Sequence, residues 1–589
     1  VAVTGTSGAF VALDLGTATT AVALVGRVAG RWRLLASTAV PAAVDPETAV
    51  ELLGTLVRSG DPTLAAEVGL QEASLRELPR LVSRTSRTPT LGLVGVTERA
   101  LGPLGRAAEG AGWRTWRASM ERFDPLALLR FLLDERIEAI LAGAGDPAGA
   151  DERGGLGELA AVVAAAAERR PGLPIVLAGA LAVEAERHAF FAERAQAAGP
   201  GGGGSEPPEA GPADAERGVP EPARSDGERA ARGADGGPGP ILLAPAAAAG
   251  ERPGEPLRRI LAGLAAGPDA GRDDLVRSLG SLAAVLERRI ELVEIGHDGA
   301  LRARAVPGPR TADPPRVEHR LVPGAALVPG EVTEELLDGV LPWSTVAVER
   351  SRLRDRLTAL RREPWTELPG DGARLRLAAA EAALGRLEAA TAELTAQPAP
   401  DLLVLAGGVW SAVPGPAVAL AAANVLRRPG AWQIAYDQAR LLAPLGTIAV
   451  EAERRAVLAD LADDLLVPVG AVVMPMGLRA GRSAGTLVVH GPTGPTELDL
   501  VPGGLELVDL APGERTTIEL RFERPVVLGT RGRRFALEVA GGLGGLLVDL
   551  RDIPLRLPER AARRRELLGA WQAALWPGFD EGADGGQPR

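Results

Sequence analysis

The chain of 589 residues contains no cysteine and no lysine; all 65 of its basic residues are arginine. Lack of cysteine excludes disulfides, thiolate zinc sites, iron–sulfur clusters and cysteine nucleophiles. Lack of lysine excludes a P-loop, which reaches phosphate through its lysine, and a pyridoxal enzyme built on a Schiff base. The four histidines, His188, His297, His319 and His490, lie far apart and have none of the close spacing that a metal site needs. No apolar run approaches the roughly 20 residues of a membrane span. The first residues carry neither a basic stretch nor an apolar stretch of the secretory type, so a cytoplasmic location is expected. The net charge of −11 arises from interleaved Arg and Asp/Glu. With no basic stripe, nucleic acid is not an expected partner.

What is present points to an α/β protein. Before residue 198, short apolar runs alternate with helical patterns, as in Leu91 to Val96, Ala139 to Asp146 and Pro174 to Ala180. Pro125 to Asp134 carries apolar residues at Leu126, Leu128, Leu129, Leu132 and Leu133, the period of an amphipathic helix. From Ala198 to Pro240 no apolar residue is larger than Val, and this composition predicts a disordered linker that buries too little surface to offset its ordering entropy. After it, Ile241 to Leu243 and Ile290 to Ile295 read as strands around a helical stretch, and a long Ala-rich helix runs from Ala373 to Leu394.

Two motifs carry chemistry. Leu13 to Thr20, LDLGTATT, lies between two apolar runs and reads as strand, Asp-x-Gly-Thr turn, strand. Such a hairpin grips phosphate in actin-like nucleotide-binding folds. On that reading the N–H groups of Gly16, Thr17 and Ala18 are expected to face a phosphate, and the Asp14 carboxylate can hold Mg²⁺ through water. Taken alone, the same residues also describe a plain hairpin with glycine at its turn. Asp401 to Ser411, DLLVLAGGVWS, is a buried strand that breaks into Gly407 and Gly408 before a helix, an arrangement that can lay adenosine against bare backbone.

The order of LDLGTATT, AILAGAGD, PIVLAGA, DLLVLAGGVWSAVPGPAVALAAANVL and AYDQARLLAPLGTIA resembles the glutamate mutase L (GlmL/MutL) family of the actin-like ATPase superfamily, which includes acetate and sugar kinases, DnaK and actin. Asp437, Leu441, Leu442, Leu445 and Gly446 match the family's last motif, and Leu141 to Pro147 keeps part of another. The resemblance implies a two-lobed actin-like (ribonuclease H-like) fold that binds ATP or ADP with Mg²⁺. It also implies an accessory role, as a chaperone or reactivating factor for an adenosylcobalamin-dependent mutase whose subunit is the protein partner. The chain departs from the family at the second phosphate loop. There Val293 to Ala303 keeps Glu294 and Gly296 but loses a Thr-Thr-Asp, and Arg316 to Gly324 keeps only Val317, Glu318 and Leu321 of the next motif. One intact loop and one eroded loop predict binding with at most slow hydrolysis, since phosphoryl transfer needs metal and terminal phosphate held together. A nucleotide-dead scaffold and a small-molecule kinase are the alternatives; no constellation nominates a catalytic base.

Beyond Leu478 short alternating runs separated by Gly/Pro turns predict a small all-β domain, followed by a helix from Arg560 to Trp576 that carries Arg563, Arg564 and Arg565. The expected organisation is an N-terminal lobe with the first phosphate loop (1–197), linker (198–240), a second lobe with the adenosine motif (241–477), a β-sandwich-like domain (478–559) and a C-terminal helix and tail (560–589). The expected nucleotide-site residues are Asp14, Gly16, Thr17, Ala18, Gly296, Gly407 and Gly408, with Asp14 at the metal.

Overall fold

A computed structural model describes residues 8–575, apart from 71–74, 76, 86, 145–148, 186–187, 189, 192–240, 245–254, 265–269, 311–312, 331, 365–369, 396–398, 411–412, 414, 479–482 and 492–493. The stretch expected to be a disordered linker lies outside the described residues. The chain parts into two compact units, Val1–Arg87 with Pro268–Arg589, and Thr88–Gly267. The Gly/Pro-rich stretch that reads as a boundary, 198–240, falls within the second unit's sequence.

The discontinuous unit begins with strands β1 (Ala9–Leu15), β2 (Thr19–Val28) and β3 (Arg31–Pro41), joined as an antiparallel meander, and β4 (Arg80–Arg84), which pairs parallel with β1. β1 is a continuous apolar run because it is central and covered on both faces. Val11 and Leu13 pack on Val50, Leu53 and Val57 of helix α1 (Pro46–Gly60), whose start is set by the Asp45 side-chain cap and Pro46. Phe10 and Ala12 face the opposite way, into a second core.

The contiguous unit is a five-stranded parallel sheet. Its strands are β5 (Thr90–Gly95), β6 (Arg114–Ser119), β7 (Ala139–Gly143), β8 (Ile175–Ala178) and β9 (Ile241–Ala244), in the order β6-β5-β7-β8-β9. Parallel pairing demands crossovers, and helices supply them. Helices 98–110 and 255–264 share one apolar core, while helices 125–132, 156–169 and 180–185 share the other. This is a doubly wound arrangement of the 2-1-3-4-5 type.

The first unit resumes with helix α2 (Ala270–Leu286) and strands β10 (Ile290–Ile295), β11 (Ala300–Val306) and β12 (Arg316–Val322). It continues through helix α3 (Asp371–Ala390), β13 (Leu402–Ala406), helix α4 (Gly415–Val425), β14 (Gly430–Tyr436), the short helix α5 (Leu442–Leu445) and β15 (Val467–Met474). β10, β11 and β12 form an antiparallel meander and β13 pairs parallel with β10, which repeats the order and directions of β1 to β4. Leu275, Leu279 and Leu282 of α2 fill the core between the two repeats, meeting Phe10 and Ala12 on one side and Leu292 and Val404 on the other. Gly446, which ends α5, touches α2 backbone to backbone: a Cβ there would lie 1.9 Å from the Asp274 carbonyl oxygen. Gly446→Ala is expected to cost about 3 kcal/mol by overpacking, measured as a lower denaturant midpoint at an unchanged slope.

Under the repeat lies a buried ion cluster. Glu291 of β10 and Arg302 of β11 are each 1% exposed. Arg302 donates to Glu291 at 2.6 Å and to Thr391 Oγ1 at 3.0 Å. Arg428 joins Glu291 to Glu388 of α3.

The C-terminal strands form largely where expected but do not all belong to one domain. β16 (Gly485–Gly491), β17 (Gly494–Leu500), β19 (Arg515–Leu528) and β20 (Thr530–Ala540) make their own antiparallel sheet. β18 (Leu505–Val508) and β21 (Leu546–Asp549) instead extend the large sheet beyond β15. The sandwich core is built between them, from Ala471, Val473, Leu546 and Val548 of the large sheet and Leu487, Ile518 and Leu520 of the small one. Alternating apolar residues mark a strand's inward face without saying which sheet it joins.

Candidate functional site

The site lies within the discontinuous unit, where the turns of the two repeats meet. In the first turn the Gly16 N–H donates to Thr19 O at 3.1 Å; in the second the Gly296 N–H donates to Gly299 O at 2.9 Å. Asp14 stands two residues before Gly16 and pairs across the hairpin with Ala21, while Glu294 stands two residues before Gly296 and pairs with Leu301. The two acids hold equivalent positions in equivalent hairpins. Thr17 and Ala18 form the half-buried tip of the first turn, and the Ala18 carbonyl accepts from the Ala42 N–H at 2.9 Å.

The glycine pair after β13 reaches both hairpins. Gly407 has φ +91° and a Cβ there would meet Ile295 O at 2.3 Å, so the strand end crosses β10 with no room for a side chain. The Cβ position of Gly408 has Thr19 Oγ1 as its neighbour, at 3.8 Å. Asp14, Glu294 and Gly407 line one pocket with Thr85, Gly271, Arg272, Asp437 and Arg440. Gly296 lies beside it, with Glu294 Oε1 3.6 Å from its Cβ position.

Two arginines and a third carboxyl group, none of them among the expected site residues, decide the character of this pocket. Arg440 adopts φ +53°, an uncommon conformation for a side chain other than glycine, and it turns the guanidinium onto the first hairpin. Its Nε and Nη2 each lie 2.6 Å from Asp14 Oδ2, and Nη1 donates to Thr19 Oγ1 at 2.8 Å. A Cβ on Gly16 would come within 2.8 Å of Arg440 Nη2, so the glycine of the motif makes room for this guanidinium. Burial disfavours the charge on Arg440, but the Asp14 carboxylate outweighs it, with Glu294 adding, and its pKa is raised. Arg272 stands 3.9 Å from Glu294, giving the second acid its own cationic partner. Asp437 is 2% exposed and accepts the N–H groups of Leu441 (2.9 Å) and Leu442 (3.2 Å) at the start of α5. Burial pushes its pKa up to about 7, against the pull of those hydrogen bonds, and the Asp14 charge adds to the rise. Arg361 braces the second hairpin, donating to His297 O and to Asp298 Oδ1.

The open space in the pocket is about 20 Å³, enough for roughly one water molecule. Small-molecule sites ordinarily offer about 300–1,000 Å³. In this arrangement the pocket does not fit a nucleotide with its metal, because the Asp14 carboxylate assigned to Mg²⁺ already holds a guanidinium. A signal for Arg440 was present in the sequence, since it falls three residues after Asp437 at the carboxyl end of a buried strand. Its backbone conformation, which aims it, was not.

No protein-family model matches the chain, and no curated protein matches it. Among solved structures, the PilM–PilN type IV pilus biogenesis complex is similar over 76% of this chain and 98% of that one, at 12% identity and a TM-score of 0.22. A Ppx/GppA family member from Aquifex aeolicus is similar over 77% of this chain and 90% of that one, at 8% identity and a TM-score of 0.17. Superpositions this loose assign neither a fold nor an activity.

Proposed function

We propose that the chain is an actin-like protein, a divergent relative of glutamate mutase L, that works as an interaction scaffold without using nucleotide. Two repeats of three antiparallel strands with a fourth parallel to the first support the actin-like reading, since such a fold is built from two ribonuclease H-like halves. The observation that carries the scaffold reading is the Arg440 bridge to Asp14 and Thr19, which fills the place that nucleotide and metal need. A kinase has little support: Asp437, whose raised proton affinity suits a general base, spends its carboxylate on the helix N–H groups of Leu441 and Leu442. The partner implied by the resemblance is a subunit of a cobalamin-dependent mutase, and co-purification tests that assignment.

The preserved Asp14–Gly16 turn favours a second reading, an ATP-binding accessory protein. Thermal unfolding with and without millimolar Mg²⁺–ATP separates the two. The scaffold reading expects no shift. A site with a Kd of tens to hundreds of micromolar would add about 1–3 kcal/mol of stability under mass action, and that result would establish the ATP-binding reading instead.

A further inference from the structure

We infer that a second pocket of the discontinuous unit, walled by α2, the start of β12 and helix α6 (Glu451–Asp460), is a binding site for a small aliphatic monocarboxylate held by Arg454. It shares no lining residue with the Arg440 pocket, so the inference stands apart from the scaffold reading.

Arg454 is 5% exposed, yet its hydrogen bonds go to neutral groups. Nε donates to Ser281 Oγ at 2.8 Å and Nη1 to Ile448 O at 2.6 Å, which leaves Nη2 without a partner among the described residues. Its pKa is lowered, first by burial and next by the charge of Arg277, with Glu451 pulling the other way and Arg455 adding to the fall. Both neighbouring arginines already have their acids, Arg277 with Asp274 and Arg455 with Glu451. Burying a guanidinium is costly unless a counter-charge accompanies it. The charges around Arg454 sum in the wrong sense, so the group suited to this pocket is an anion.

The remaining lining narrows the class. The pocket holds about 280 Å³ of open space, close to the lower end for small-molecule sites. Val276, Pro315 and Val317 give it an apolar wall, and Gly280 lets α2 come close there, since a Cβ on it would meet Val317 Cγ2 at 2.9 Å. Asp273, which is exposed, adds a negative charge to the lining and opposes a multiply charged ligand such as phosphate. A single carboxylate on a short hydrocarbon body meets each of these conditions: its two oxygens match the fork of a guanidinium, its body covers the apolar wall, and its charge is one.

The test follows isothermal titration and thermal unfolding of the full chain with sodium acetate, butyrate and phosphate, each against sodium chloride at equal ionic strength. Butyrate should bind saturably and raise the melting temperature, and it should bind roughly tenfold more tightly than acetate because it buries two further methylene groups. Arg454→Gln should weaken butyrate at least roughly tenfold, as losing a hydrogen bond to a charged group does. Ser281→Asp sets a carboxylate beside Arg454 Nε and should lose the butyrate response, and it serves as the deciding variant if Arg454→Gln does not fold. Absence of saturable carboxylate binding by the parent overturns the site, and so does an undiminished response in Ser281→Asp. Equal binding of acetate and butyrate overturns the role of the apolar wall. Phosphate binding as tight as that of butyrate overturns the monocarboxylate class.

Discussion

Asp14→Ala is expected to lower stability by about 3–5 kcal/mol in the absence of any ligand, as breaking one side of a buried ion pair does. The side chains of Asp14 and Arg440 are 11% and 13% exposed, and Asp14 Oδ2 receives both Nε and Nη2. Removing the acid leaves a buried guanidinium with Thr19 as its remaining close partner in this bridge. The outcome discriminates sharply between roles. A carboxylate kept for a metal sits uncompensated near Glu294 and Asp437 until the metal arrives, so deleting it should leave the ligand-free protein as stable or more stable. A carboxylate that anchors an internal arginine behaves in the opposite way. Denaturant unfolding of the two proteins without nucleotide measures the difference, and a stabilised Asp14→Ala variant would contradict the bridge.

Glu291→Ala should be at least as damaging, at about 3–5 kcal/mol. Arg302 and Arg428 share Glu291, and both also reach Glu388. With Glu291 gone, two guanidinium groups compete for a single carboxylate, and Arg302 is only 1% exposed, so water cannot compensate it. Glu291→Gln keeps an oxygen acceptor for Arg302 and should lose less, although the same net charge is removed. Calorimetry that resolves the transition of the discontinuous unit reports both variants. Equal losses for Ala and Gln would show that charge alone governs the cluster.

Much of the fold was legible from residues whose role is local. β1, β5, β7 and β13 are near-continuous apolar runs because each is covered on both faces, and Gly407 marks a strand end that no side chain fits. The repeat was harder to see: LDLGTATT and VEIGHDGA share little beyond an acid two residues before glycine, and only the pairing of Asp14 with Ala21 and Glu294 with Leu301 aligns them. Sheet membership of β18 and β21 depends on partners distant in sequence, so alternation alone read them as part of a separate domain. At the site, Gly16 was read from its turn chemistry and Gly296 through the family resemblance, whereas Arg440 was missed because its significance lies in a positive φ and a partner 426 residues away.

The interruption between β4 and α2 also has a bearing on how the chain is made. Phe10 and Ala12 find their covering residues, Leu275, Leu279 and Leu282, only after the 180 residues from Thr88 to Gly267 have been synthesised. At ordinary elongation rates that is a wait of about 10–40 s, during which one face of the first sheet has left the ribosome ahead of its cover. The interrupting residues are contiguous and carry two apolar cores of their own, so they can compact during the same interval. Order of synthesis thus favours completing the inserted unit first and closing the discontinuous unit last, when α2 arrives to join its two sheets.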